Sequence, residues 1–270
     1  MLDLFGPTVH IGCSTTGIAV LRRDRFGRVV GVAVERTFTK PNSIAELARE
    51  LPLVLTAMQC AGAAASVIMS DDWLRLFVVT PPANCAHRRD CDAAVAMRFQ
   101  TLYGDDIKQW MVQVDWQIDR PFLVAALPVA LQTGLVGIAA QCRLRYTAIL
   151  PHSVAAWNRW HAAVQPGDWF GVAHADVLTL IAIEDGAVRA VRRQSLDQTA
   201  MKNPDWLSQH VGREVLRLNL AAPTRLQLSG EVPLPWTVPA PSRLPCSLLQ
   251  DKSLPARSLD ATLAFAGVTP

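Results

Sequence analysis

The residues best suited to chemistry form one short run, Gly12-Cys13-Ser14-Thr15-Thr16-Gly17. Glycines on either side of small hydroxyl residues suit a turn whose backbone N–H groups face an anion such as phosphate. Other reactive types are less convincing. Cys85, His87 and Cys91 cluster, but neither CxxC nor a His/Cys spacing suited to zinc is present, so they read as loop residues. Asp71-Asp72 reads as a turn before a strand, where Asp is favoured for its local backbone bonds. Arg192-Arg193 reads as a solvated strand end, and His152 and His161, beside Trp157 and Trp160, as structural histidines.

The run sits in a repeating frame. Residues 9–38 and 169–196 each read as an apolar strand, a tight turn of small residues, a second strand, a charged turn and a third alternating strand. Laid on each other, residues 9–13 meet 172–176, and the turns at 23–27 and 184–186 fall in register within about two residues. One supersecondary unit is used twice. Between the units, Ser43 and Glu46 predict a capping box for a helix whose face is Ile44, Leu47, Leu51, Val54, Leu55 and Met58. Pro52 predicts a kink or break in it. Short strands follow at 66–69 and 73–79. Residues 84–142 predict helix 92–102, strands 110–117 and 122–127, and helix 129–142. Residues 153–164 predict a hinge helix. Asn203-Pro204 predicts an N-cap and first helical position, with Leu207, Val211, Val215 and Leu218 on one face. Residues 232–245 are proline-rich and predict an irregular surface excursion, and 259–266 a last short helix.

Composition narrows the classes. With 270 residues, half of them apolar, the chain can bury one large core or two lobes. A net charge of +3 with 26 dispersed Lys and Arg gives no nucleic-acid stripe. The six cysteines suit a reducing cytoplasm. The N-terminus lacks the pattern of a signal peptide, and no stretch approaches the roughly 20 apolar residues needed to span a bilayer.

Paired meanders opening on small-residue turns resemble the actin, Hsp70 and hexokinase type of ATPase fold. More narrowly, the chain is similar to PilM of type IV pilus assembly and to the cytoplasmic part of GspL of type II secretion. Residues 92–99, 113–116 and 124–128 resemble that family's inserted subdomain, 143–151 the connection into the second half, and 226–230 the final nucleotide-side strand and loop. The resemblance implies an α/β, actin-like (ribonuclease H-like) duplicated fold: a first lobe at 1–82, a small inserted α+β subdomain at 83–145, and a second lobe at 146–270. It also implies a groove for the cytoplasmic tail of an inner-membrane PilN-like or GspL/GspM-like partner, with Met97, Phe99, Trp110, Met111 and Trp116 as candidate lining. Those residue types at such spacings are more often plain core.

The same resemblance frames the function. ATPases of this fold hold phosphates on two glycine-containing turns, with Mg2+ on nearby carboxylates. Here Gly12, Ser14, Thr15, Thr16 and Gly17 keep the first turn, while His10 stands where the family has Asp. Ala173 and Ala175 take the second turn's Asp and Gly, leaving a shifted Asp176. Ile149-Leu150-Pro151-His152 replaces the acid between lobes, no Asp or Glu falls between Asp119 and Asp168, and the adenosine-side Gly-Gly is reduced to Gly230-Glu231. A protonated imidazole would repel Mg2+. The expectation is a vestigial nucleotide site with no catalytic residue, metal or cofactor, in a cytoplasmic scaffold peripheral to the inner membrane. An assembly ATPase as a further partner and a homo-oligomer fit that role. The alternative is an active ATPase or small-molecule kinase that binds ATP, with Asp176 as metal ligand.

Overall fold

The structure is a computed structural model and describes residues 7–83, 87–115, 120–250 and 259–266. An antiparallel meander, β1 (Thr8–Cys13), β2 (Gly17–Arg23) and β3 (Val34–Thr37), leads through α1 (Ile44–Ala57) to β4 (Ala64–Met69), which lies parallel to β1. Next come β5 (Arg75–Val79), α2 (Arg88–Tyr103), β6 (Trp110–Val114) and β7 (Phe122–Pro128), whose strands form a separate sheet in the order β5-β7-β6. Helix α3 (Val129–Cys142) returns to β8 (Arg145–Pro151), and the first sheet is complete as β3-β2-β1-β4-β8. Helix α4 (His152–Trp160) crosses to a second meander, β9 (Asp168–His174), β10 (Val177–Glu184) and β11 (Ala187–Ser195). Helices α5 (Gln198–Lys202) and α6 (Trp206–Leu218), strands β12 (Arg225–Gly230) and β13 (Cys246–Leu249), and α7 (Leu259–Ala266) follow.

The second large sheet runs β11-β10-β9-β12-β13, the same order as the first when strands are matched by position. The duplication expected from the sequence is therefore one of topology. Alternation explains each sheet's two faces: Val9, Ile11 and Cys13 of β1 enter a core with α1 and α3, while Ala19 and Leu21 of β2 meet α7 through Ala261 and Ala264. The closing helices are exchanged. Helix α4 follows the first sheet but packs Ala156 and Trp157 on Phe170, Val172 and Ile181 of the second, whereas Leu263 of α7 returns to Ile68 and Ala155. That exchange ties the lobes together by apolar burial.

Local chemistry sets several boundaries differently from expectation. Ser43 Oγ accepts from Glu46 N at 3.2 Å, but the reciprocal half of the capping box is replaced, because the Glu46 carboxylate takes the N–H groups of Thr39 (2.6 Å) and Lys40 (3.1 Å). Helix α1 continues through Pro52. Burial of Leu47, Leu51, Val54 and Leu55, at roughly 1.5–3 kcal/mol each, outweighs a proline cost of about 3 kcal/mol. Helix α2 starts four residues before the expected Asp92, where Asp90 Oδ2 accepts from His87 N at 3.3 Å. Asn203 Oδ1 instead accepts from Asp205 N at 2.9 Å, so Pro204 precedes α6, which begins at Trp206.

Two larger differences concern whole segments. The apolar run ending at Val79 reads as part of the first lobe, yet residues 71–73 form a 3-10 turn and β5 pairs with β7. Helix α3 reads as part of the insert, yet Leu131, Leu135 and Ile138 fill the first-lobe core. The small sheet thus runs from Arg75 to Pro128, starting and ending earlier than 83–145. The proline-rich stretch is also more ordered than its composition implies. Trp236 is buried there, donating from Nε1 to Ala200 O at 3.0 Å and stacking on Trp206 at 5.3 Å, and β13 pairs in parallel with β12.

Candidate functional site

The two small-residue turns lie at equivalent ends of the two meanders, and they differ in length. Cys13 pairs with Ile18, leaving four residues between, whereas His174 pairs with Val177 and leaves only Ala175 and Asp176. In the first, Gly12 lies within β1 opposite Ala19 and Ile68, and Gly17 begins β2 opposite Thr37. Neither glycine adopts a positive φ. The hydroxyls face their own turn: Ser14 Oγ accepts from Thr16 N (3.1 Å), lies 3.1 Å from Thr16 Oγ1 and donates to Gly17 O (3.3 Å). The Thr15 and Thr16 carbonyls accept from Asn42 N (2.8 Å) and Phe38 N (2.7 Å). This is a closed, self-bonded turn.

In the second turn Ala175 takes φ +52°, the left-handed region expected to require glycine. The chain accepts alanine there at a cost of about 1–2 kcal/mol. The Ala175 N–H is directed at Glu231 Oε2 at 3.4 Å, so the chain's own carboxylate faces the donor a phosphate would use. Gly230 has φ +87°, and a Cβ there would lie 2.1 Å from Ala173 O. The glycine is needed because β12 approaches β9 this closely, with Glu231 N donating to Ala173 O at 2.8 Å.

His10 lies where Mg2+ repulsion was expected, but it is neutral. Its Nδ1 is 2.7 Å from Ser66 Oγ, and burial, aided by the Arg23 guanidinium, brings its pKa down to about 4. It lines an apolar cavity of about 410 Å³ with Ser66, Thr147, Asn158 and Arg159. His152 is fully enclosed against His174, their rings 5.4 Å apart. Burial lowers His152 to about 4, and burial with the neighbouring His152 lowers His174 to about 3. Neither ring nitrogen of His174 has a hydrogen-bond partner among the described residues. His161 is exposed and lies beside the last carbonyls of α4.

Sequence reasoning missed the group at the centre, Asp71. Ser70 Oγ accepts from Asp72 N at 3.5 Å, as a capped turn requires. The turn, however, carries Asp71 into the hinge. Its Oδ1 accepts from Ser153 N (3.2 Å) and Ser153 Oγ (3.1 Å) at the start of α4, and its Oδ2 from Thr179 Oγ1 (2.7 Å) on β10. Burial raises the Asp71 pKa against the opposing pull of these donors. Arg193 bonds Asp71 O (3.3 Å) and Asp72 Oδ1 (3.1 Å), and Arg192 Nε lies 3.3 Å from Glu214 Oε2. Arg193, exposed near the end of β11 as a strand-end residue would be, thus links the lobes, whereas the half-buried Arg192 pairs within the second lobe; both line a cleft of about 350 Å³.

Acidic groups therefore do converge near the turns, since Asp176 acts electrostatically on both Asp72 and His174. The expected scarcity of acids along the connection between lobes missed Asp71 and Asp72, which arrive from the first lobe. They do not fit a magnesium site. Asp71 is spent on three protein donors, Asp72 is paired with a guanidinium, and no group of three or more His, Cys, Asp or Glu among the described residues could hold a metal ion.

Of the candidate partner residues, Phe99 and Trp110 meet, in a buried ring cluster. Phe99 is fully buried between Phe77, Tyr103 and Trp110, packed by ring contacts, while Met97 is 72% exposed on another face of α2. Met111 packs toward the first-lobe core, and Trp116 lies outside the described residues. Periodicity in α2 distinguishes Phe99 from Met97 only once its core face is known. Of the metal-like cluster, Cys91 is buried in α2, His87 caps that helix, and Cys85 lies outside the described residues.

No protein-family model matches the sequence, and no curated protein matches it. Solved structures do. The cytoplasmic domain of EpsL, an inner-membrane component of the type II secretion system of Vibrio cholerae, superposes with a TM-score of 0.57 at 12% identity, covering 97% of this chain and 94% of that one. A Bacteroides thetaiotaomicron protein of actin-like ATPase fold gives 0.56 at 11% identity, with 86% of each chain covered. A chain of the PilM–PilN type IV pilus biogenesis complex gives 0.55 at 14%, covering 83% of this chain and 81% of that one. The α/β chain thus has the duplicated, two-lobed actin-like ATPase fold, in the form shared with EpsL and the PilM–PilN complex.

Proposed function

We propose that the chain is a non-catalytic scaffold of a type II secretion or type IV pilus assembly platform. The observation that carries this reading is the state of the interlobe cleft. Its buried acid joins three protein donors across the hinge, and its second turn points at Glu231. A cleft held this way favours one rigid arrangement of lobes over opening and closing around nucleotide. In this reading the protein sits in the cytoplasm against the inner membrane, holds the cytoplasmic tail of a PilN-like or GspL/GspM-like protein, and passes contact to an assembly ATPase, as a single copy or a homo-oligomer. The units concerned are the two lobes and the small sheet between Arg75 and Pro128. No helix among the described residues is long and apolar enough to cross a membrane.

The test is binding of synthetic peptides that copy the cytoplasmic tails of single-span inner-membrane proteins encoded beside this chain. Saturable binding of one tail supports the scaffold; failure of every tail removes it. The intact first turn at Gly12, Ser14, Thr15, Thr16 and Gly17 favours a second reading, an ATP-binding enzyme with Asp176 at the metal. Nucleotide-dependent melting separates the two.

A further inference from the structure

The two meanders differ most at the connection between their second and third strands. The second half joins β10 to β11 through Asp185 and Gly186 alone, while the first spends residues 24–33 on the same step. Closing the sheet does not need the extra length. It does place Phe26 (71% exposed), Val29 (45%), Val30 (42%) and Val32 (84%) in one seven-residue stretch.

This turn is built. Asp24 Oδ1 accepts from Phe26 N (2.8 Å) and Arg28 N (2.9 Å), Asp24 N donates to Arg28 O (2.9 Å), and Val30 N donates to Arg22 O (2.9 Å). Those bonds engage the single carboxylate of the stretch within its own turn, while Arg25 and Arg28 are exposed and the Arg25 guanidinium lies 4.8 Å above the Phe26 ring. The result is an exposed turn that carries apolar and cationic side chains together. Phe26, Val29, Val30 and Val32 are far fewer than the roughly 20 residues a side of a stable protein interface, whereas an aromatic ring with arginines suits the boundary between acyl chains and anionic headgroups. We propose that residues 24–33 dock the chain on an anionic lipid surface, with Phe26 and the valines entering the interfacial layer and Arg25 and Arg28 against lipid phosphates. The inference does not rest on the scaffold reading, because an enzyme of this fold could carry the same turn.

Co-sedimentation of the full chain with vesicles tests it. Pelleting is expected with phosphatidylglycerol–phosphatidylethanolamine vesicles, not with pure phosphatidylcholine, and it should weaken as salt rises. The pairs Phe26→Asp with Val32→Asp and Arg25→Glu with Arg28→Glu should each lower partition about tenfold, with melting unchanged because all four side chains are exposed. Leu216→Asp, an exposed apolar site on α6, should leave partition unchanged. Absence of wild-type pelleting, or full pelleting by either double variant, overturns the proposal. Self-association that Phe26→Asp abolishes, without lipid binding, would make the turn a protein contact and also overturn it.

Discussion

The two halves share one strand order but treat their turns differently. Both sheets are fixed by buried alternating strands, so their core residues and register tolerate little change. The turns bury no such alternating face, and there the halves diverge: four residues against two at the cleft, ten against two at the outer connection. The sheets therefore repeat more closely than the turns that join their strands.

Among single substitutions, the largest effects should come from the points where that comparison depends on close contact. Gly230→Ala forces a Cβ onto a backbone oxygen, whereas Gly186→Ala at φ +70° meets nothing within 4 Å. Denaturant unfolding should show a loss of about 3 kcal/mol for the first and about 1 kcal/mol for the second; equal losses would mean that Gly230 serves only its φ. Asp71→Ala leaves Ser153 and Thr179 without their shared acceptor and should also lower stability by about 3 kcal/mol. Asp72→Ala, whose carboxylate is partly exposed, should cost under about 1 kcal/mol.

Summed over three buried histidines, a pH effect of comparable or larger size is expected. His10, His152 and His174 titrate near 4, 4 and 3 in the fold, below the ordinary histidine value of 6.5. Between these values the unfolded chain binds more protons, so stability should be complete above pH 6.5 and fall as pH drops toward 4, at up to ~1.4 kcal/mol per unit for each histidine. Burial of Asp71 acts in the opposite sense, since its raised pKa favours the fold under more acidic conditions. A melting temperature flat from pH 7 to pH 5 would contradict this placement of the histidines. Smaller still, Ala175→Gly should raise stability by about 1 kcal/mol by relieving a left-handed alanine.

Much of this was legible in the chain. The paired meanders, α3 and the run 226–230 declare themselves through period and apolar content, and they suffice for the duplicated fold. The hinge is different. Asp71 meets Ser153 and Thr179 across separations of 82 and 108 residues, and locally it looks like any aspartate after a capping serine. Trp236 and β13 were hidden for another reason: prolines around them mimic a loop, while the partners that order them, Ala200 and β12, lie elsewhere in sequence. Long-range pairing decided both, and no local window contains it.

In the scaffold proposed above, the cleft does not seat a magnesium nucleotide. Melting of the wild-type chain with millimolar Mg-ATP tests this directly. The predicted transition coincides with that of the nucleotide-free protein; a rise of several degrees, equivalent to a few kcal/mol of linked stability, would contradict it.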